Sequence, residues 1–242
     1  METLSVDTNA PLNRAKKIML RSIFVYFGFY LLSFIPTNVA IFDALWSLGL
    51  FISWIIGCYG LYCFSNISNS SSFKYYVLSV LVVALYALIL GIVLGMFYVK
   101  LGNDEALPWV SLCVFVIILS LCAIALNVFW SYKVSYEMSA ITGLKHFITA
   151  FRIFCISLVG LTLLGLVFGW LMIDFLSIYI DDELSLESLY FYLEQFIQGR
   201  VATFTMLTVL FLVMGILTAV YNVFIVVGIW NIKEVRVREK SA

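Results

Sequence analysis

The chain is 242 residues long, 64% hydrophobic and only 12% charged, with 14 basic residues balanced by 14 acidic ones. A water-soluble domain carries about 25% charged residues on its surface, a need that a hydrocarbon solvent removes. Zero net charge gives no footing to a nucleic-acid partner or a polybasic lipid-binding tail.

Charged residues come in clusters separated by apolar stretches, each long enough for the roughly 20 residues that cross a bilayer core. The pattern predicts an all-α polytopic membrane protein, a bundle of six transmembrane helices at about 19–36, 39–64, 76–99, 108–131, 153–176 and 203–230. Residues 14–232 form this membrane domain, flanked by a disordered cytoplasmic N-terminus at 1–13 and a basic cytoplasmic tail at 233–242.

Residues 1–13 are polar, and Pro11-Leu12-Asn13-Arg14 leads into a basic turn at the lipid headgroups. Span 1 lacks a small-x-small cleavage site, which reads against a signal peptide. Pro36-Thr37-Asn38 joins spans 1 and 2 as a tight hairpin. Span 2 holds Asp43 about one turn inside, and Ser53 and Gly57 at helical spacing. The polar run Ser65 to Ser72 reads as a flexible link. Its Asn66 and Asn69 sequons are chance matches if it is cytoplasmic.

In span 3 Ala87, Gly91 and Gly95 are four residues apart, a helix-packing face where backbones approach closely; Gly165 and Gly169 repeat the spacing in span 5. Span 3 is thereby expected inside the bundle. Asn127 in span 4 and Asn222 in span 6 sit in matching contexts and are read as hydrogen-bonding a neighbouring helix, or as lining a polar pathway. Between spans 4 and 5, Val134, Met138 and Ile141 keep helical spacing up to Thr142-Gly143, where the chain turns into the lead of span 5. Glu137, Lys145, His146 and Arg152 stand there as interfacial residues whose charged ends snorkel to water.

Ahead of span 6, the acidic turn Asp181-Asp182-Glu183 and a Ser185 cap introduce an amphipathic surface helix at 185–198. All five cysteines fall within or at the edge of spans, so no disulfide framework is implied, and their spacing fits no metal site. No cofactor motif appears.

Lys and Arg cluster in the N-terminal segment, the 2–3 and 4–5 loops and the tail, while Lys100 and Arg200 stand on the other side with most acids. Both termini are therefore placed in the cytoplasm. The spans hold no charge near mid-depth, which argues against proton relays and ion-coupled carriers.

The layout resembles the permease subunits of some ABC exporters: six spans, cytoplasmic ends and an exported amphipathic helix before the last span. The resemblance covers layout alone, and the 2–3 loop lacks the charged coupling helix of such a permease. Three functions follow as expectations. The first is a non-enzymatic membrane component that packs against other membrane proteins, itself or lipids, in a bacterial inner membrane. The second is a transport subunit or facilitator for an apolar or neutral solute, using Asn127 and Asn222. The third is an enzyme working through Glu137, Lys145 and His146 at the cytoplasmic face.

Overall fold

The computed structural model describes residues 2–32, 40–102, 109–179 and 186–237. Its elements in chain order are β1 (Glu2–Ser5), α1 (Ala10–Leu32), α2 (Ala40–Ile67), α3 (Ser72–Gly102), α4 (Trp109–Thr142), α5 (His146–Tyr179), α6 (Leu186–Gln198), α7 (Val201–Trp230) and β2 (Glu234–Val237). Among the described residues, five stretches are long and apolar enough to cross a membrane: Ala44–Ile67, Ser72–Val93, Val114–Thr142, His146–Leu171 and Val201–Trp230. The hairpin expected at 36–38, the acidic turn at 181–183 and the Ser185 cap lie outside the described residues, as does the side chain of Asp43.

The chain divides into two compact units. The first comprises 1–149 with 224–242, the second 150–223. In the first, α1 packs along α2 and α3 along α4. Asn9 caps α1, its Oδ1 accepting the Leu12 amide at 3.0 Å.

The N-terminal segment differs from the sequence expectation of a disordered leader. Glu2–Ser5 pairs antiparallel with Glu234–Val237, in register Glu2↔Val237 to Ser5↔Glu234. The Val6 amide extends the ladder to the Lys233 carbonyl at 2.8 Å. Strand alternation is the reason. Leu4 and Val235 are directly opposed and turned to the core with Val6, while Thr3, Glu234 and Arg236 face outward.

That core gathers at the helix ends that carry the termini. It joins Leu12, Ala15 and Met19 of α1, Phe64 of α2, Met138 and Ile141 of α4, Phe147 of α5, and Ile229 with Ile232 and Val235 near the C-terminus. Leu12, Phe64 and Val235 are fully buried, and burying each such side chain is worth about 1.5–3 kcal/mol. The second unit has its own cluster, in which Leu171 of α5, Phe196 of α6 and Leu207 of α7 are buried. There Arg200 pairs with Asp174 and its guanidinium stacks over the Phe196 ring, 4.1 Å from the centroid.

Candidate functional site

The densest polar chemistry in the first unit lies where α2 ends and α3 begins. The sequence reading of this run as a flexible link is overturned by its hydrogen bonds. Ser68 and Ser72 are fully buried. Ser65 Oγ donates to the Ser70 carbonyl at 2.8 Å and accepts the Phe73 amide at 3.1 Å. Ser68 Oγ returns to the Phe64 carbonyl at 2.8 Å and approaches Ser70 Oγ at 3.0 Å, which in turn lies 3.2 Å from Ser72 Oγ. Asn69 supplies the left-handed turn residue, at φ 52°. Serine hydroxyls both donate and accept, so a run of them can satisfy the open ends of two successive helices.

Glu137 of α4 completes this knot. It is only 4% exposed, and its Oε1 accepts the Ser71 amide at 3.2 Å. A carboxylate at the start of α3 meets unpaired amides and the positive end of the helix dipole. The reading of Glu137 as a snorkelling interface residue is therefore corrected. It is a buried acceptor, and it is the sole acidic residue between Glu105 and Asp174.

Just beyond it, α4 closes as its sequence suggests. Gly143 adopts φ +72°, its amide reaching the Ser139 carbonyl at 2.8 Å, while Thr142 Oγ1 donates to the Met138 carbonyl. A residue with a side chain would be strained at that angle. Lys145 is exposed, and His146 starts α5 with its ring against Phe224. The His146 Nδ1 is buried without a hydrogen-bond partner. Glu137 thus turns to a helix end while His146 turns to an aromatic ring, and no hydrogen bond links the pair among the described residues. No cluster of His, Cys, Asp or Glu that could hold a metal occurs among the described residues either.

The other predicted residues fall as follows. Asn127 Oδ1 accepts Ser79 of α3 at 3.3 Å and Ser131 of its own helix at 3.0 Å, a closed polar triangle joining α3 and α4. Asn222, by contrast, bonds back to the Thr218 carbonyl of its own helix at 2.9 Å, four residues away. Ala87, Gly91 and Gly95 are exposed, so α3 is not buried through this face. A Cβ added at Gly91, Gly95, Gly165 or Gly169 would meet nothing within 4 Å among the described residues. Close approach occurs along the α1–α2 seam, where Gly57, spaced with Ser53 in the sequence, lies against Ser22, Gly60 against Met19 and Gly49 against Phe29.

Sequence reasoning missed the serine knot, Lys16 and the terminal ribbon. Signals for them exist in the lone acid of a basic loop, in the density of serines between two apolar runs, and in the alternation of Glu234-Val235-Arg236-Val237. Comparison with protein-family models, curated proteins and solved structures finds no match to this chain.

Proposed function

We propose that the chain is a six-span integral membrane protein with both termini in the cytoplasm, a non-enzymatic component that works by packing against lipids and other membrane proteins. The observation that carries this is its apolar surface. In each of the five apolar stretches at most 11% of the most apolar segment is buried inside the chain. Side chains such as Leu88, Trp170, Met206 and Phe211 stand 60–65% exposed. Such a surface is intolerable in water and ordinary in lipid.

Parity supports the sixth span. Because β1 and β2 are hydrogen-bonded, the segments they flank share one side of any bilayer, and the chain between them must cross an even number of times. Five helices qualify on apolarity, and α1 makes the number even. Its first half carries Arg14, Lys16, Lys17 and Arg21, which makes it less apolar than those five helices. The basic termini favour the cytoplasm. Free Cys58, Cys63, Cys122 and Cys155 are in keeping with a bacterial inner membrane. The helix α6, with Phe196 buried and Glu194 and Gln198 exposed, serves as an amphipathic cover on the opposite side.

Packing is favoured over transport because the polar groups offered for a pathway are engaged: Asn127 by two serines, Asn222 by its own helix. The test is twofold. Gln198→Cys should label in intact cells and Lys17→Cys only after permeabilisation, from protein that resists carbonate extraction. Purification in mild detergent should then return the chain with a membrane partner or as an oligomer. A carbonate-soluble chain, or a partnerless monomer that conducts a solute in proteoliposomes, overturns the reading.

A further inference from the structure

Two lysines on the α3–α4 pair are placed where an anionic lipid headgroup would sit. Three contacts define the antiparallel register of these helices: Tyr75 stacked on Trp130 with ring centroids 5.8 Å apart, Ser79 against Ser131 at 3.3 Å, and Tyr86 against Ser120 at 2.9 Å. That register brings Lys74, at the start of α3, level with Lys133, near the end of α4. Lys74 is exposed and Lys133 half-buried over the Phe129 ring, 5.6 Å from its centroid. Neither forms an ion pair among the described residues. Glu137, one turn from Lys133, is buried at the Ser71 amide.

Each lysine heads an exposed apolar stripe at helical spacing. Below Lys74 run Val77, Leu81, Leu85 and Leu88; below Lys133 run Phe129, Leu126, Cys122 and Ile118. Aromatic rings at lysine height (Tyr75 with Trp130, Tyr132 with Tyr136) mark the depth at which amphipathic rings meet lipid headgroups. Two cations that form no ion pair among the described residues, above exposed apolar stripes, match one ligand chemistry: a negative phosphate with acyl chains beneath it.

We propose that Lys74 and Lys133 form a headgroup site for an anionic phospholipid on the outer face of the α3–α4 pair. The proposal rests on the membrane reading above and names the lipid partner in it. Helices and lipid tails are equally apolar, so the tails alone give no preference; the preference comes from the lysines, each worth about fivefold near an anionic surface.

The experiment is native mass spectrometry of the full chain released from nanodiscs of equal phosphatidylglycerol and phosphatidylcholine. The wild type should retain phosphatidylglycerol preferentially. In the double variant Lys74→Gln/Lys133→Gln, that preference should fall about twenty-five-fold. The control Lys17→Gln/Lys145→Gln removes two other exposed lysines and should keep it. Equal retention of both lipids by the wild type, an unchanged double variant, or an equal loss in the control each overturns the site. Carbonate extraction of the same proteins separates the two failures: a chain that washes off takes the membrane reading down with the site, while a resistant chain without lipid preference takes down the site alone.

Discussion

Lys16 Nζ donates a 2.8 Å hydrogen bond to the carbonyl of Ile232, fastening the first helix to a point 216 residues further along the chain. Ile232 lies just past the end of α7, where carbonyls lack helical partners and the dipole is negative, so a lysine there satisfies both hydrogen bonding and charge. Lys16→Met keeps the length of the side chain and removes the donor. It should cost about 1.5–3 kcal/mol, the range for a hydrogen bond to a charged group. Thermal unfolding in a fixed detergent reads this directly, and an unchanged midpoint would show that the contact is idle.

The same residue makes a pH prediction. Lys16 precedes the stretch 19–36 proposed above as a span, and burial lowers its pKa from 10.5, with Asp7 opposing the shift and Lys233 adding to it. The folded chain thus releases the Lys16 proton at lower pH than the unfolded chain. Between the folded value and 10.5 the unfolded state holds more protons, so stability rises with pH across that window. The contribution is fully present above 10.5 and is lost as pH falls through the folded value. The stability of wild type relative to Lys16→Met should therefore improve as pH climbs towards 10.5. Midpoints compared at several alkaline pH values check it, and a relative loss with rising pH has the wrong sign.

The ribbon of the two termini predicts a crosslink. The Val6 amide bonds the Lys233 carbonyl directly opposite, so alternate pairs outward from there are hydrogen-bonded, and Thr3 and Arg236 form one of the closer, non-hydrogen-bonded pairs. Thr3→Cys with Arg236→Cys should form an intramolecular disulfide on mild oxidation, visible as a reducible shift in gel mobility. Neither single variant should give that shift. Lack of a crosslink in the double variant would remove the parity support for an even number of spans.

Glu137 gives a prediction that separates charge from hydrogen bonding. With Glu137 4% exposed and its carboxylate on the Ser71 amide, Glu137→Ala leaves that buried donor without its acceptor, and should cost about 1–3 kcal/mol. Glu137→Gln retains an acceptor oxygen and loses only the charge at the α3 N-terminus, so it should cost clearly less. Midpoints measured side by side in detergent rank the two, and equal losses would mean that the charge alone matters.

What was legible in the sequence was whatever hydropathy encodes. The charge-free stretches locate the five apolar helices, and Gly143 marks the turn between α4 and α5 because a positive φ selects for glycine. What stayed hidden depends on partners distant in the chain. Nothing local in Glu2–Ser5 shows that Val235 waits opposite Leu4, since a four-residue strand has no stability until it is paired. Glu137 looked like a water-seeking end because its acceptor role requires Ser71, which lies 66 residues away. The small-residue rule had an uneven outcome: Gly57, four residues after Ser53, packs against Ser22, while the Ala87–Gly91–Gly95 face is exposed. It registers that a face permits close approach: Gly91 has Ala87 and Gly95 four residues away, where Gly60 has Ile56 and Phe64, yet of the two only Gly60 has a helix against it among the described residues.

That last contrast can be tested with two alanines. At Gly60 a Cβ would lie 2.8 Å from Met19 Cγ and 3.0 Å from the Met19 backbone nitrogen. The side chain could swing away, but the backbone of α1 would have to move, and overpacking of that kind costs about 1–3 kcal/mol. At Gly91 the added carbon meets nothing within 4 Å among the described residues, so only the local helix preference changes, a gain of up to about 1 kcal/mol. Gly60→Ala should therefore lower the unfolding midpoint, and Gly91→Ala should hold or raise it. The bulkier Gly91→Leu then asks what the exposed Ala87–Gly91–Gly95 face is for. If this face meets another copy of the chain, as a close-packed small-residue face would, Gly91→Leu should lower the mass seen in detergent by multi-angle light scattering while the midpoint of the monomer stays put. An unchanged mass would assign the face to lipid.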